Sequence, residues 1–349
     1  MKSIVSYRGQ RKCINLSEPY VSGYDIKIKT YYSSISQGTE ANTVNKSSFL
    51  NHLLNHHSYK FAFKKFRELG FLKFFFKLKK FRNTNSQLGY SIVGEVLEKG
   101  CLTTRDDIQI GDKVVASGEY ANHSEVVVVP QGMITVIGSE HESKDMGIYS
   151  LATIVAVSIH GVRTLFSDID QESYSKRRCL IVGGGIIGTF CGLYLKSLGI
   201  NQIRVLDIST GSLAESFFEK YSDNYSFDTI FVCSNSMDGL EKIITRSMYG
   251  CKISIIGETQ ITIDRGILED KYSTLKFCKS YGSGRGEPTY ELLGMRPYFT
   301  PEFSISNNIK LSLSLLDENA EHIYKHIKLI SLRNIECDGK INIIDWNSK

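Results

Sequence analysis

One short stretch restricts the architecture of this chain more than any other. The apolar run Cys179-Leu180-Ile181-Val182 opens directly into Gly183-Gly184-Gly185-Ile186-Ile187-Gly188, an apolar helical pattern follows to Leu198, and a second apolar run, Ile203-Arg204-Val205-Leu206, ends at Asp207. A strand that turns sharply into a helix and returns as a parallel strand is a βαβ unit. In such a unit Gly183 permits the tight turn, Gly185 lets the backbone approach a pyrophosphate, and Gly188 lets the helix pack on the sheet. The helix N-terminus, with Ile186 and Ile187 in its first turn, then faces the phosphates. Asp207 falls where a carboxylate accepts hydrogen bonds from an adenosine ribose and repels a 2′-phosphate, so the expected cofactor is NAD.

The elements around this unit divide the chain. Before about residue 145 the pattern is short β-rich runs broken by turns: Tyr24 to Tyr32, Ser91 to Leu97, Lys113 to Ala116, and Glu125 to Val129 ending at Pro130. That spacing suggests a small β-barrel. Met146 to Phe166 reads as a helix, and Thr229 to Cys233 and Lys252 to Gly257 add two more buried strands to the βαβ unit. The whole is therefore expected to be an α/β protein: a barrel domain over residues 1–145, a doubly wound domain over 146–290, and a C-terminal segment, 291–349, returning toward the barrel.

Cysteine usage and charge remove several other classes. Eight cysteines are scattered without a Cys-x-x-Cys pair, which argues against a disulfide framework or a zinc ribbon and fits a reducing cytoplasm. No run reaches the roughly 18 apolar residues of a membrane span. The formal charge of +5 is concentrated in Lys60 to Arg82, where nine basic residues face one acid, Glu68, so the rest of the chain is net negative. A nucleic-acid-binding surface would spread its basic residues over several elements, so no nucleic-acid partner is expected. The segment also interleaves eight phenylalanines with its cations, inside an insert over residues 50–85. Two readings stay open: aromatics packed on the barrel with solvated lysines, or peripheral contact with an anionic membrane surface. His52, His56 and His57 in the same insert have helical spacing but no accompanying carboxylate or cysteine, which favours a surface helix over a metal site.

Ser36-Gln37-Gly38-Thr39-Glu40 and Gly89-Tyr90-Ser91-Ile92-Val93-Gly94, in that order ahead of the glycine turn, resemble the medium-chain dehydrogenase/reductase superfamily. Tyr120-Ala121-Asn122-His123-Ser124-Glu125 and Ser280-Tyr281-Gly282-Ser283-Gly284-Arg285, followed by Pro288-Thr289-Tyr290-Glu291, are similar more narrowly to the dehydrogenase-like half of bacterial two-part oxidoreductases associated with surface-polysaccharide loci. The resemblance implies a GroES-like β-barrel catalytic domain joined to a Rossmann domain, and a hydride transfer between NAD(H) and an alcohol or carbonyl, with a sugar or nucleotide-sugar as the implied substrate class. The second half of those relatives is missing from this sequence, which leaves room for a separate oxidoreductase partner chain; a homo-oligomer is equally compatible.

The resemblance also implies where a catalytic zinc would sit in zinc-dependent relatives: at the positions occupied here by Gln37, Tyr90 and Thr153. An amide, a phenol and a hydroxyl are not the nitrogen and sulfur donors a catalytic zinc requires, so no metal is expected. The work of polarising a carbonyl then falls to side chains. Thr39 and Tyr90 lie where the resemblance places the reacting oxygen, and Tyr281 and Arg285 follow the last strand near the nicotinamide or an anionic group. His123 and His160 are alternatives, read more readily as structural. Two other functions remain in view: a quinone or enal reductase, and a non-catalytic subunit that holds NAD(H) while a partner supplies the chemistry.

Overall fold

The structure, a computed structural model, describes residues 1–7, 9–47, 86–141, 145–234, 239–257, 259, 261–332 and 335–348. The basic aromatic insert and its three histidines lie outside the described residues. Among the described residues no helix is long and apolar enough to cross a membrane.

Six parallel strands form the sheet that carries the glycine turn: β9 (Arg178–Val182), β10 (Gln202–Leu206), β11 (Glu219–Lys220), β12 (Thr229–Val232), β13 (Lys252–Ile256) and β14 (Thr274–Cys278). Their order is β11-β10-β9-β12-β13-β14, so the sheet grows outward in both directions from the β9/β12 boundary. That boundary is the topological switch point of a doubly wound sheet, where the chain leaves neighbouring strands in opposite directions and opens a crevice. Both faces are covered, as parallel sheets require. Cys179, Ile181 and Phe231 point into one core, while Leu180, Val182, Ile230 and Val232 point into the other, the period-2 alternation of a strand.

On the first face lie α2 (Ala152–Phe166) and α3 (Ile186–Ser197). Thirteen residues of α2 are buried, as expected of a helix that is apolar nearly all round. It sits very close to the sheet: a Cβ on Gly161 would come within 2.3 Å of Ile256. The helical pattern from Met146 does not run unbroken into α2. A short turn of helix over Met146–Tyr149 is capped by Asp145, and the ladder tightens at Ser150 and Leu151, whose N–H groups reach back three residues instead of four. The Ser150 carbonyl is satisfied by the hydroxyls of Ser34 (2.6 Å) and Ser91 (2.5 Å), which pins the start of α2 to the barrel.

One departure from regular alternation lies between β10 and β12. Only a single 3-10 turn, Ala214–Ser216, occupies this interval, and no α-helix covers the sheet there. The opposite face is filled instead by Tyr225 and Phe227 from the connecting loop and by Leu240 and Ile244.

The barrel sheet has the order β15-β16-β3-β5-β6-β8, with β7 also on β3. Its strands are β3 (Asp25–Ile35), β5 (Ser91–Lys99), β6 (Lys113–Ser117), β7 (Val126–Pro130), β8 (Ile134–Val136), β15 (Ile327–Ile330) and β16 (Ile341–Asp345). β3 pairs with β5, β7 and β16 and is bulged at Lys27/Ile28 and Thr30/Tyr32, which lets one strand bend round the curve. β1 (Lys2–Tyr7), β2 (Gln10–Asn15) and β4 (Ser86–Gln87) form a small third sheet. After β16, Trp346 packs with Ile4, Ile35 and Leu88, bringing the far C-terminal end of the chain against the beginning of the barrel.

Candidate functional site

The glycine turn sits at the carboxyl end of β9, on the switch point. Gly183 has φ +102°, a conformation that L side chains rarely adopt, and a Cβ there would come within 2.9 Å of the Ser234 amide nitrogen at the end of the neighbouring strand. A Cβ on Gly188 would lie 1.9 Å from the Gly183 carbonyl oxygen, so this glycine allows α3 to start directly against the turn. Gly185 differs from both: among the described residues nothing lies within 4 Å of where its Cβ would be, and it is exposed. It is also the N-cap of α3, with no side chain bonded to the helix's first N–H groups, and Ile186 and Ile187 are half-buried in the first turn. An open approach to a helix N-terminus suits a pyrophosphate.

Asp207, one residue beyond β10, is half-buried. One carboxylate oxygen accepts from the Gly184 amide and the other from the Ser209 amide (2.8 Å) and hydroxyl (2.6 Å). Burial pushes its carboxyl up, but the hydrogen bonds from Ser209 and Gly184 outweigh this and hold it below the usual carboxylate range. The group is an anion tied to the glycine turn, with lone pairs left over for further donors.

A second set of groups comes together on the barrel side. α1 (Gln37–Ser47) opens at Gln37, and its first turn carries the exposed Thr39. The half-buried phenol of Tyr90, just before β5, is hydrogen-bonded with the hydroxyls of Ser36 and Thr39. Burial, reinforced by the nearby Glu40 carboxylate, raises the Tyr90 phenol above its ordinary value in spite of those bonds, so it stays protonated. The Tyr90 carbonyl accepts from the Gly118 amide at 3.0 Å, and a Cβ on Gly118 would lie 3.1 Å from the Tyr281 hydroxyl. Gly118 thus touches the Tyr90 backbone and the Tyr281 hydroxyl, and the two phenols are near enough to interact electrostatically. Tyr281 is 5% exposed, burial drives its phenol up, and its hydroxyl has no hydrogen-bond partner among the described residues. Thr153 in the first turn of α2 likewise has a buried hydroxyl without a partner. Buried hydroxyls left in this state mark a place for a water or a ligand atom.

Arg285 does not point into open space. Its guanidinium pairs with Glu291 (2.5 Å) and lies 3.7 Å from Glu119, and Glu291 also takes the Gly286 amide. Two carboxylates already neutralise it, and its evident effect is to fasten the loop after β14 to the barrel. His160 is buried on α2, its Nδ1–H directed at the Ser280 carbonyl at 3.2 Å with Cys278 Sγ close by, and burial lowers its pKa.

The largest feature that sequence reasoning missed is a buried polar chain behind Tyr90. His123 Nε2 is 3.0 Å from Glu40 Oε1, and His123 Nδ1 is 2.8 Å from Ser33 Oγ, which also accepts from Trp346 Nε1–H at 2.9 Å. The Ser36 amide donates to the same Glu40 oxygen at 3.0 Å, and Arg11 Nε stands 3.8 Å from the other. The Ser33 hydroxyl, with one O–H and two lone pairs, serves both Trp346 Nε1–H and His123 Nδ1, while His123 Nε2 faces Glu40. Gly89 lies over this ring, where a Cβ would approach Nδ1 to 2.7 Å. His123 is accordingly the support of the turn that carries Thr39. Its only sequence signal was the motif around it.

The sequence resemblance would place Tyr90 and Thr153 among the ligands of a catalytic zinc, and a phenol and a hydroxyl are not the donors that metal takes. Among the described residues no three His, Cys, Asp or Glu side chains converge as a metal site.

No protein-family model matches the chain, and no curated protein matches its sequence. Solved structures do match. The galactitol-1-phosphate dehydrogenase from Escherichia coli aligns over 99% of this chain and 100% of its own, with a TM-score of 0.69 at 14% identity. S. aureus TarJ in complex with NADPH aligns over 99% of this chain and 98% of its own (TM-score 0.64, 14% identity), and the glucose dehydrogenase from Haloferax mediterranei over 99% of each (TM-score 0.67, 12% identity). The chain therefore has the medium-chain dehydrogenase fold, with a GroES-like barrel and a Rossmann sheet.

Proposed function

We propose that this protein is a zinc-independent oxidoreductase that moves a hydride between a nicotinamide dinucleotide and an alcohol or carbonyl carbon. The observation that carries the reading is the combination of two features. One is an unobstructed glycine cradle at the switch point. The other is a wall of protonated phenols, Tyr90 and Tyr281, one of them with an unused hydroxyl. Gly183, Gly185, Ile186, Ile187, Gly188 and Asp207 would hold the dinucleotide, and when bound it supplies or accepts the hydride. Tyr90 would donate the proton to the substrate oxygen in reduction and recover it in oxidation, through Thr39, whose exposure connects it to solvent. Tyr281 would hydrogen-bond the same oxygen, and Arg285 would fix the loop that carries Tyr281.

Hydroxyl-rich walls suit a polyol, sugar or nucleotide-sugar, and the similar structures named for galactitol-1-phosphate and glucose favour that class. A role in surface-polysaccharide synthesis rests on the sequence resemblance. The test is turnover with a panel of sugars, nucleotide-sugars, quinones and enals, followed by NADH absorbance. Activity confined to quinones or enals would replace the alcohol reading, and tight NADH binding with no turnover would favour a non-catalytic subunit with a separate catalytic partner.

Two further results are expected. Elemental analysis of the purified protein should find no stoichiometric zinc, and chelators should leave turnover unchanged; one zinc per chain, lost together with activity, would overturn the donor-set argument. NAD(H) should bind more tightly than NADP(H), because the Asp207 carboxylate opposes a 2′-phosphate and Ile208-Ser209-Thr210 brings no cation to receive it. Asp207→Ser should narrow that preference about tenfold or more, whereas equal dissociation constants in the wild type would remove Asp207 from this role.

A further inference from the structure

Two thiols meet beneath the glycine turn. Cys191, in the second turn of α3, is fully buried, and Cys233 is half-buried immediately after β12. Their sulfur atoms are 3.8 Å apart, with Cys191 Sγ also 3.7 Å from the Ser158 carbonyl. The location is specific: Cys233 follows one of the two strands that bound the switch point, and Gly183 follows the other. The Cys233 amide donates to Val182 at 2.8 Å, and its carbonyl carbon and oxygen would lie 3.0 and 3.2 Å from a Cβ on Gly183. No slack separates Cys233 from the turn.

We infer that Cys191 and Cys233 form an oxidative-modification site, a dithiol that a hydroperoxide converts to a disulfide, and that closing this bond weakens dinucleotide binding. The binding part rests on the function proposed above; the bond itself does not. Cys233, the more accessible residue of the two, is oxidised first: its sulfur attacks one peroxide oxygen, the O–O bond breaks, the other oxygen leaves as water with the thiol proton, and Cys233 becomes a sulfenic acid. Cys191 then attacks that sulfur, the S–O bond breaks, the S–S bond forms, and the Cys191 proton leaves with the hydroxyl as water. In sum two thiols lose two electrons and two protons, and one peroxide becomes two waters. Cys191 takes the second step because its sulfur, fully buried, faces Cys233 at 3.8 Å and has no access of its own to a peroxide from solvent.

A disulfide needs its sulfurs about 2.0 Å apart, so the two sulfurs, now 3.8 Å apart, must close by well over an ångström through side-chain rotation, movement of α3 against the end of β12, or both. Both elements carry the cradle. α3 presents the N-terminus that faces the pyrophosphate, and the Cys233 backbone abuts Gly183. Whatever part of the closure side-chain rotation does not supply falls on these two elements, and the tight contact of the Cys233 backbone with Gly183 passes it to the turn.

The experiment treats the purified full-length chain with a modest excess of hydrogen peroxide and follows intact mass, denatured thiol count and NADH affinity. The expected result is a loss of about 2 Da, two fewer thiols than the eight in the sequence, a Cys191–Cys233 linked peptide, and an NADH dissociation constant raised at least about tenfold, all restored by dithiothreitol. Cys191→Ser should lose no mass and instead gain oxygen at Cys233, trapped by dimedone. Eight surviving thiols, or a bond that maps to other cysteines, overturns the site. A Cys191–Cys233 bond with unchanged NADH affinity overturns its control of binding. If the reduced protein does not bind NADH, the dinucleotide reading falls, and the mass and peptide data still decide the bond.

Discussion

Replacing Gly185 with alanine is expected to weaken NADH binding at least about 100-fold, about 2.7 kcal/mol, while leaving the protein as stable as the wild type. The added methyl meets nothing among the described residues, and the backbone at Gly185 (φ −73°) is one that alanine adopts without strain. Alanine is the poorer N-cap by up to about 1 kcal/mol, and its smaller unfolded-chain entropy returns about 0.4–1 kcal/mol at a backbone conformation it can adopt, so the two nearly cancel. What the methyl does occupy is the open space over the start of α3, through which the pyrophosphate must approach. Gly188→Ala makes the contrasting case. Its Cβ would sit 1.9 Å from the Gly183 carbonyl and 3.0 Å from Ile181, so α3 must shift, and overpacking of this kind costs about 1–3 kcal/mol. Thermal melting and NADH fluorescence titration on the two variants separate a binding surface from a packing contact. Wild-type affinity in Gly185→Ala would show that no pyrophosphate crosses that residue.

The difference between these two glycines also shows what could be read from sequence. The turn from Gly183 to Gly188 and its Asp207 lie within one local βαβ unit, so spacing alone carries their geometry. The barrel strands were legible for the same reason, since alternation is local. The missing helices between β10 and β12 had a signal in chain length: the interval from Asp207 to Thr229 must also hold β11, leaving little room for two crossover helices of ten or more residues with their loops. The chemistry of the barrel wall had no such signal. Tyr90, Gly118 and Tyr281 come from three separated segments, and His123 meets Glu40 across 83 positions and Ser33 across 90. Nothing in a linear pattern reports which polar residues become mutual partners once buried. Arg285 shows a pairing that its residue type does not announce. Its type suggested an anion receptor, but its partner Glu291 lies six residues away in the same loop, and the pair satisfies itself.

The Glu40–His123–Ser33–Trp346 chain has a consequence for the proposed reaction. A buried carboxylate close behind a phenol makes the phenolate costly, and this adds to the burial that already raises the Tyr90 phenol. Tyr90 is therefore suited to giving up a proton only when the receiving oxygen gains negative charge, as it does when a hydride reaches the carbonyl carbon. A free phenol titrates near ~10, and this one titrates higher, so the donor form is fully present through neutral pH and is lost only as pH rises past the raised value. Carbonyl reduction should accordingly be flat in pH with respect to Tyr90 from about 6 to 9.

Tyr90→Phe should then lower kcat/KM for carbonyl reduction by about 10²–10⁴, the range removed with a positioned general acid, and leave the NADH dissociation constant unchanged. The prediction is specific because Tyr90 and the cradle stand on different sheets: the phenol reaches Ser36 and Thr39 on the barrel side, while the glycine turn follows β9. Thr39→Val should give a smaller loss, since the phenol keeps Ser36 and only its outlet to solvent is interrupted, and this loss should appear in kcat more than in KM. The measurement is steady-state reduction of whichever sugar or carbonyl the panel identifies, with NADH titration as the control. If Tyr90→Phe turns over as fast as the wild type, the proton comes from elsewhere on the wall, and Tyr281, with its buried hydroxyl still unpartnered, becomes the donor to test.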